Sequence, residues 1–248
     1  MTVAYEQSGR IVTITIQRPE ARNAVDAETA DWLTAAMRRF DAADDADVAV
    51  LTGAPPDFCA GADLKALTRD RDAASRRVTA GLAPMGLAHL HVTKPTIAAI
   101  EGYAVAGGLE LALWCDLRIA AVDAVLGVYS RRWGLPLMDG GSVLLPRIVG
   151  HGRAFDLALT GRGVDGNRAE AIGLVTQAVP KGEALATALE VAATIAAHPQ
   201  AAVRSDRRSI HEQWNLDLAT ALEHEMALAL VALDSGEGAA GAAAFARE

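Results

Sequence analysis

The sequence has few cysteines, few aromatic residues and no surplus of positive charge. Its two cysteines, Cys59 and Cys115, provide neither a disulfide framework nor a metal-binding spacing, and their apolar surroundings favour small buried thiols. Aromatic residues make up only 4% of the chain, so a core must be built mainly from Ala, Val, Leu and Ile. The formal net charge of −8 argues against a nucleic-acid-binding protein, because phosphate contacts need concentrated Lys and Arg.

Long uninterrupted apolar runs are also missing. The most apolar region, residues 102–128, is interrupted by charged residues such as Glu110 and Asp116, and it is therefore not predicted to span a membrane. The N-terminus shows no basic segment followed by an apolar run, so no signal peptide is expected. A cytoplasmic protein is the expectation that follows.

The sequence does contain a regular alternation of strand and helix patterns. The first apolar segments predict a β-hairpin around Gly9, and Asp26 is placed to cap the helix that follows. Residues 48–52 predict a short buried strand, and most of residues 63–90 are predicted to be helical. This alternation continues to residue 121 and indicates an α/β fold with crossover helices.

The chain becomes mainly helical after Leu144. Three successive helices are predicted over residues 184–197, 199–214 and 216–233. The third carries an apolar stripe that needs a partner. It is expected either to fold back over the α/β core or to lie between subunits.

Two glycine-containing segments have the pattern of a strand that runs into a helix. In residues 57–65, Asp63 is placed to cap a helix, and the backbone N–H groups at such a junction lack helical partners. In residues 101–110, Gly107 or Gly108 should begin a helix. Glycine lets a ligand oxygen approach the backbone closely, and the helix dipole there favours developing negative charge.

Glu110 follows Gly107 by three residues, nearly one helical turn, and lies on the same face. Backbone donors that grip a carbonyl oxygen, together with a carboxylate near its α- or β-carbon, are what enolate chemistry requires. The alternative is structural: Gly107 and Gly108 form a tight turn, and Glu110 is a solvated helix residue.

Several motifs occur in an order that resembles the crotonase superfamily, also called the enoyl-CoA hydratase/isomerase family. The motifs are Arg18-Pro19-Glu20-Ala21-Arg22-Asn23-Ala24, Phe58-Cys59-Ala60-Gly61-Ala62-Asp63-Leu64, Lys94-Pro95-Thr96-Ile97-Ala98-Ala99, Gly102-Tyr103-Ala104, Gly107-Gly108-Leu109-Glu110-Leu111-Ala112, Cys115-Asp116 and Gly173-Leu174-Val175. The resemblance runs from near the N-terminus to the last helices. It implies an α/β fold, a crotonase-like ββα spiral over residues 1–195, with a C-terminal helical trimerisation or capping region over residues 196–248.

The same resemblance implies roles for individual residues. The backbone amides of Ala62 and Gly107 would form an oxyanion hole, with Glu110 as a catalytic carboxylate. Coenzyme A would be bound by Ala24 and by the segment Ala60, Gly61, Ala62, Asp63, Leu64 and Lys65, of which residues 60–64 would line the adenine and pantetheine path, with Ala24 nearby. Lys65 and Arg22 would meet the phosphates of coenzyme A, unless they are ordinary surface charges.

The sequence departs from the family pattern at one position. Hydratases of this family use two glutamates, and counting forward from Glu110 puts the second on Ser130. A serine hydroxyl cannot replace a carboxylic acid as a proton donor near neutral pH. Asp139 is a candidate replacement, because related enzymes that shift double bonds carry an acidic residue near that point. It is alternatively a helix-start anion or cap.

The residues next to Ser130 also allow two interpretations. Arg131 and Arg132 either point inward, pairing with Glu110 or Asp139 or binding an acyl carboxylate, or they belong to the surface or a subunit salt bridge, which is favoured. Trp133 is expected in the core rather than on an acyl pocket. The six histidines show no metal-ligand spacing, and no metal is expected.

The sequence therefore predicts an enzyme of enoyl-CoA hydratase type that processes an acyl-CoA thioester. The alternatives are an enoyl-CoA isomerase using Glu110 and Asp139, and a weakly catalytic acyl-CoA-binding homologue. No separate cofactor is expected, because coenzyme A is part of the substrate. The resemblance implies a homotrimer or a dimer of trimers, with no nucleic-acid or membrane partner.

Overall fold

The computed structural model describes residues 1–70 and 72–247. The strands form two sheets and are, in chain order, β1 (Val3–Ser8), β2 (Ile11–Ile16), β3 (Val48–Gly53), β4 (Thr96–Ile100), β5 (Tyr103–Val105), β6 (Leu117–Ala121), β7 (Val125–Gly127), β8 (Gly163–Asp165) and β9 (Gln177–Val179). The α-helices are α1 (Ala27–Ala42), α2 (Leu64–Arg69), α3 (Ala73–Thr79), α4 (Gly107–Trp114), α5 (Gly141–Val149), α6 (His151–Thr160), α7 (Gly166–Ala171), α8 (Ala184–Ala196), α9 (Gln200–Glu212), α10 (Leu218–Asp234) and α11 (Glu237–Phe245).

The larger sheet has six strands in the order β1-β2-β3-β4-β6-β9. The predicted hairpin is confirmed, since β1 and β2 pair antiparallel. Every later pair in this sheet is parallel, so each strand is reached by a crossover connection. The carboxyl ends of the parallel strands therefore share one edge, where the connecting loops meet.

Helix α1 forms where its sequence pattern predicts it. The Asp26 side chain accepts a hydrogen bond from the Thr29 amide and so caps the helix. One side of the helix places Leu33, Met37 and Phe40 in the core, where they are completely buried. This apolar stripe packs the helix against β1 and β2.

A second sheet of three short strands has the order β5-β7-β8. Strand β5 lies parallel to β7, with Val105 opposite Gly127. Sequence patterning did not predict these strands, because three-residue segments carry too little periodicity. Their position matters, since β5 leads directly into α4.

The prediction of helix over most of residues 63–90 is only partly right. Two short helices, α2 and α3, occupy the first part, and residues 80–90 form turns without a helix. Gly81 and Gly86 both adopt positive φ, a conformation incompatible with a continuing helix. This irregular segment passes beneath the site described below.

The C-terminal helices pack differently from the rest of the chain. Helices α9, α10 and α11 contain no fully buried residue, and α10 contacts mainly α9. The predicted helices at these positions are confirmed within two residues, and α11 follows them. Across the described part of the chain, no single helix is long and apolar enough to span a membrane. Helices α10 and α11 taken together reach the required length and apolar composition, but the chain bends by 72° between them.

Candidate active site

Two loops that lie far apart in the sequence are joined side by side at the carboxyl edge of the sheet. The Cys59 amide donates to the Tyr103 carbonyl at 2.8 Å, and the Val105 amide donates to the Cys59 carbonyl at 3.1 Å. A Cβ atom added to Gly108 would lie 2.0 Å from the Cys59 carbonyl oxygen, so only glycine permits this approach. The two predicted glycine segments therefore form one structure.

Ala62 and Gly107 lie at the junction of these loops, as the sequence predicts. Val25 pairs with Ala62, which leaves the Ala62 amide directed away from that ladder. Over residues 1–70 and 72–247, neither the Ala62 nor the Gly107 amide donates to a protein acceptor. A Cβ atom built on Gly61 would lie 2.8 Å from the Gly107 nitrogen, so the two segments are in contact. Two backbone donors without a protein acceptor among the described residues thus lie on adjacent segments.

The backbone before Gly107 is strained. Ala106 adopts φ +54° and ψ −125°, a region that residues with a side chain rarely occupy. Its amide donates to the Gly127 carbonyl of β7 at 2.9 Å, which anchors the turn to the second sheet. The anchored turn sets the direction of the Gly107 amide at the start of α4.

Glu110 is buried, with 4% of its surface exposed, so it is not a solvated helix residue. Its Oε1 atom accepts hydrogen bonds from the amides of Asp139 and Gly141, both at 2.9 Å. Burial raises the pKa of Glu110 to about 7, although these two amide bonds oppose the shift. A carboxylate with this pKa can both accept and return a proton near neutral pH.

Asp139 lies beside Glu110 and is also 4% exposed. Its Oδ1 atom accepts a hydrogen bond from the Met85 amide at 2.8 Å. Burial raises the pKa of Asp139 to about 6. The side chain of Asp139 does not cap α5, since that helix has no side-chain cap. The structure thus brings together the two carboxylates that the sequence singled out.

The segment predicted to line the coenzyme A path has mixed exposure. Ala24 and Gly61 are buried, Ala60, Ala62 and Asp63 are partly buried, and Leu64 and Lys65 are exposed. The segment runs from the Ala62 amide to the surface, a position compatible with an elongated ligand.

Asp63 has a clear structural role. Its Oδ1 atom accepts from the amides of Lys65 and Ala66, which confirms the predicted cap of α2. Its other oxygen pairs with Arg18 at 2.8 Å. The Asp63 carboxylate is therefore already occupied. Arg22 is exposed and its guanidinium lies 5.2 Å from the centre of the Tyr103 ring.

Ser130 is buried, and its hydroxyl has no hydrogen-bond partner within the described residues. It follows β7 by three residues, while Glu110 follows β5 by five. Because β5 and β7 run parallel in register, both residues leave the second sheet at the same edge. A buried hydroxyl of this kind is costly unless a ligand or water satisfies it.

The neighbours of Ser130 point away from the two carboxylates. Arg131 donates to the Ala158 carbonyl, and Arg132 donates to the Gly161 carbonyl, both beside α6. The favoured surface interpretation of these arginines agrees with this position. The expectation of a core tryptophan at Trp133 is wrong, because 70% of its surface is exposed. The short helical turn that buries Ser130 directs Trp133 outward.

Sequence patterning missed Met85. Its amide holds Asp139, and its side chain, 1% exposed, packs against Gly107. Neither contact has a sequence signal, because one involves a backbone atom and the other a residue 22 positions away. The only local indication was the pair of glycines at positions 81 and 86.

Comparison with known proteins gives a consistent result. A sequence model of the enoyl-CoA hydratase/isomerase family matches residues 6–247. The chain is 39% identical over 215 residues to the enoyl-CoA hydratase EchA19 of Mycobacterium tuberculosis, covering 84% of this chain and 79% of that protein. It is 36% identical over 247 residues to the probable enoyl-CoA hydratase echA8 of Mycobacterium leprae, and the match covers 96% of this chain and 93% of that protein. The crystal structure of the enoyl-CoA hydratase EchA1 from Mycobacterium marinum superimposes with a TM-score of 0.92 at 39% identity, covering 99% and 96% of the two chains.

Proposed function

Because the chain belongs to the enoyl-CoA hydratase/isomerase family, we propose that Glu110 is the proton-transferring carboxylate of an enzyme acting on acyl-CoA thioesters. The enzyme is of enoyl-CoA hydratase type. In our proposal the amides of Ala62 and Gly107 hold the thioester carbonyl oxygen. Asp139 is the second acid or base.

The observation that carries this proposal is the environment of Glu110. The carboxylate is buried, is gripped by two amides on Oε1, and has a pKa raised to about 7. It also lies on the first turn of the helix that begins at Gly107. A base and an oxyanion donor on one rigid turn keep a fixed separation, which general acid–base catalysis of enolate formation requires.

Hydration can be written with these groups alone. The ionised Glu110 accepts a proton from a water molecule as the water oxygen bonds to the β-carbon of the enoyl thioester. The electron pair of the double bond moves toward the carbonyl oxygen, where the amides of Ala62 and Gly107 stabilise the enolate charge. A proton delivered to the α-carbon, by Asp139 or by Glu110, completes the 3-hydroxyacyl thioester.

A second candidate reaction is a double-bond shift, and one observation favours it. Residue 130 is serine, whose hydroxyl cannot donate a proton near neutral pH, while Asp139 supplies a carboxylate beside Glu110. In this reaction one carboxylate removes a proton from the α-carbon of a 3-enoyl thioester, and the other returns a proton to the γ-carbon. No water is consumed, so the two reactions differ in stoichiometry.

The test is to offer the purified protein two substrates. Crotonyl-CoA loses its conjugated-thioester absorbance if it is hydrated, whereas a 3-enoyl-CoA gains that absorbance if its double bond moves into conjugation. Incorporation of ¹⁸O from labelled water into the product confirms hydration. Full activity in Glu110→Gln toward either substrate would disprove the role assigned to Glu110.

Calorimetry with a non-reactive acyl-CoA separates catalysis from binding. Tight binding with no turnover of either substrate would favour the weakly catalytic acyl-CoA-binding homologue. Asp139→Asn is the informative companion variant, because it keeps the side-chain shape and the backbone amide that holds Glu110. Loss of activity in Asp139→Asn with unchanged acyl-CoA binding supports a chemical role for Asp139.

We also propose that the C-terminal helices mediate assembly into a homotrimer or a dimer of trimers. Helix α10 exposes Leu218, Leu222, Met226 and Leu230, which recur at four-residue spacing on one side. A groove of about 370 Å³ between α9 and the last two helices is lined largely by small apolar residues. Analytical ultracentrifugation of the full chain tests the proposal, and a monomer at all concentrations would contradict it.

A further inference from the structure

A chain of hydrogen bonds leads from α1 to the catalytic carboxylates. The Thr34 hydroxyl shares its proton between the carbonyls of Ala30 and Gly86, at 2.8 and 2.9 Å. One residue before Gly86, the Met85 amide donates to Asp139 at 2.8 Å. The Asp139 amide in turn donates to Glu110 at 2.9 Å. Consecutive hydrogen bonds are linked by the chain itself, through residues 85–86 and through Asp139.

The segment that carries the Met85 amide is held from several sides. Gly86 adopts φ +97°, and a Cβ atom added there would lie 2.4 Å from the Ala30 carbonyl oxygen of α1. The Ala83 carbonyl accepts from Arg77 of α3. The Met85 side chain fills the space against Gly107, where an added Cβ atom would lie 2.8 Å from its sulfur. The segment is therefore fixed against α1 on one face and the oxyanion turn on the other.

We propose that residues 83–87, here named the Met85 clip, position the Asp139 carboxylate for the reaction, with Gly86 and Met85 as positioning residues. The proposal rests on the proposed function, in which Asp139 is the second acid or base. The clip fixes the Asp139 side chain at Oδ1, while the Asp139 backbone holds Glu110. One segment thereby sets the spacing of both carboxylates and, through the Met85 side chain, packs beneath Gly107.

The charges of His89, which follows the clip in the chain, and of Arg77 on α3 lower the pKa of Asp139. Glu110 of α4 lies beside Asp139 and accepts a hydrogen bond from its amide. Burial raises the pKa of Asp139, and the Met85 hydrogen bond opposes that rise because it favours the ionised form. Displacing the clip should therefore raise the Asp139 pKa above about 6.

Gly86→Ala tests the proposal, with Gly81→Ala as its matched control. Both glycines have positive φ in the same segment, so both variants introduce backbone strain. An added Cβ at Gly86 would meet α1, whereas at Gly81 no described residue other than its chain neighbours lies within 4 Å of an added Cβ. The difference between the two variants therefore measures the displacement of the clip rather than strain.

In Gly86→Ala we expect kcat to fall by about tenfold or more relative to Gly81→Ala, with KM changed less than about twofold. The limb of the kcat–pH profile that reports Asp139 should move to higher pH by about one unit. In the Asp139→Asn variant, adding Gly86→Ala should lower kcat little further, because the carboxylate that the clip positions is already absent. Equal kcat and equal pH profiles in Gly86→Ala and Gly81→Ala would overturn the proposal.

A milder pair of variants covers the case in which Gly86→Ala does not fold. Thr34→Val removes the hydroxyl that bonds the Gly86 carbonyl, and Thr34→Ser keeps it. We expect a smaller fall in kcat and a pH shift in the same direction for Thr34→Val alone. Identical profiles for the two Thr34 variants would count against the clip.

Carbon-13 NMR of carboxyl-labelled aspartate, assigned with Asp139→Asn, measures the Asp139 pKa without turnover. A raised Asp139 pKa in Gly86→Ala but not in Gly81→Ala supports the clip, even in a protein that converts no enoyl-CoA. The absence of conversion would contradict the proposed function and leave the clip standing. An unchanged Asp139 pKa in an active enzyme would be a failure of the clip alone.

Discussion

Two pairs of buried or partly buried carboxylates in this protein are held in opposite electrostatic states. In the candidate active site, Glu110 and Asp139 accept hydrogen bonds from backbone amides, and burial raises the pKa of both. Where the C-terminal helices meet the core, Asp47 and Asp116 are bound by arginines instead. Amides stabilise a carboxylate less than a full positive charge does, so the first pair stays ready to exchange protons.

The second pair fastens α9 to the spiral. Asp47 pairs with Arg204 of α9 at 2.8 Å and also with Arg10, whose hydrogen bond holds the pKa of Asp47 below its ordinary value. Burial alone would raise the pKa of Asp116. The pKa nevertheless stays below its ordinary value, because His211 and Arg207 of α9 donate hydrogen bonds to the carboxylate and Arg207 adds its positive charge. Since α9 buries no residue completely, these ion pairs largely replace an apolar interface.

The comparison shows that burial alone does not decide what a carboxylate does. The type of hydrogen-bond and charge partner decides whether the pKa of the carboxyl group ends above or below its ordinary value. Variants that exchange or remove one of these partners should therefore affect catalysis in one region and docking in the other.

The largest effect is expected for Glu110→Gln. Loss of the proton-transferring group should lower kcat/KM by about 10³-fold, within the range of general acid–base catalysis. The stability at pH 8 should not fall, because the variant removes a buried charge. Steady-state kinetics and urea unfolding measure the two effects.

Glu223→Gln on α10, where the side chain is exposed, is the matched control. A large loss of stability in Glu110→Gln would mean that the carboxylate is a structural anion.

Asp116→Ala should break the second region. Removing the carboxylate leaves Arg207 and His211 without their partner, and because this ion pair is partly buried, its loss should cost about 2 kcal/mol, between the values for exposed and buried pairs. We expect this loss in urea unfolding, and faster amide hydrogen exchange in α9 than in the central strands. Asp206→Ala is the control, since Asp206 is an exposed aspartate on α9, next to Arg207 in the chain. Equal stability of the two variants would show that the ion pairs do not hold α9.

The pH dependence of stability should have opposite signs in the two regions. The folded pKa of Glu110 is about 7 against an ordinary 4.5, so its ionisation costs stability as pH rises from about 4.5 to 7. The cost at pH 8 is up to about 3 kcal/mol. Asp116 has a lowered pKa, so its contribution is present above its ordinary 3.8 and is lost as pH falls below that value.

Unfolding free energies of the wild type and Glu110→Gln from pH 4 to 8 isolate the first contribution. The difference between the two proteins should grow through this interval and then level off above pH 7. A difference that is constant with pH would show that Glu110 has an ordinary pKa in the folded protein.

The smallest effect on the monomer is expected for Leu230→Ser on α10. Leu230 is 63% exposed, so the change should alter monomer stability by less than about 0.5 kcal/mol. If α10 forms a subunit interface, the same variant should shift the sedimentation profile toward smaller species. Leu82→Ser, also exposed but outside the C-terminal helices, should leave the profile unchanged.

The sequence by itself determined the α/β architecture, the hairpin, the capped helix α1, the positions of the two glycine segments and the importance of Glu110. These features depend on local rules: apolar periodicity, side-chain caps and glycine at helix starts. The resemblance to a family also came from the sequence, because its motifs are contiguous and occur in order.

Only the tertiary structure decided the states of the charged groups. Loops that meet across the fold determine the bond from the Met85 amide to Asp139 and the outward position of Trp133. They also bury the Ser130 hydroxyl, which has no hydrogen-bond partner in residues 1–70 and 72–247. A pKa is set by burial and by neighbours in space, and a residue's distance along the chain specifies neither. That is why the sequence could identify Glu110 and Asp139 but could not decide that both would be buried next to each other.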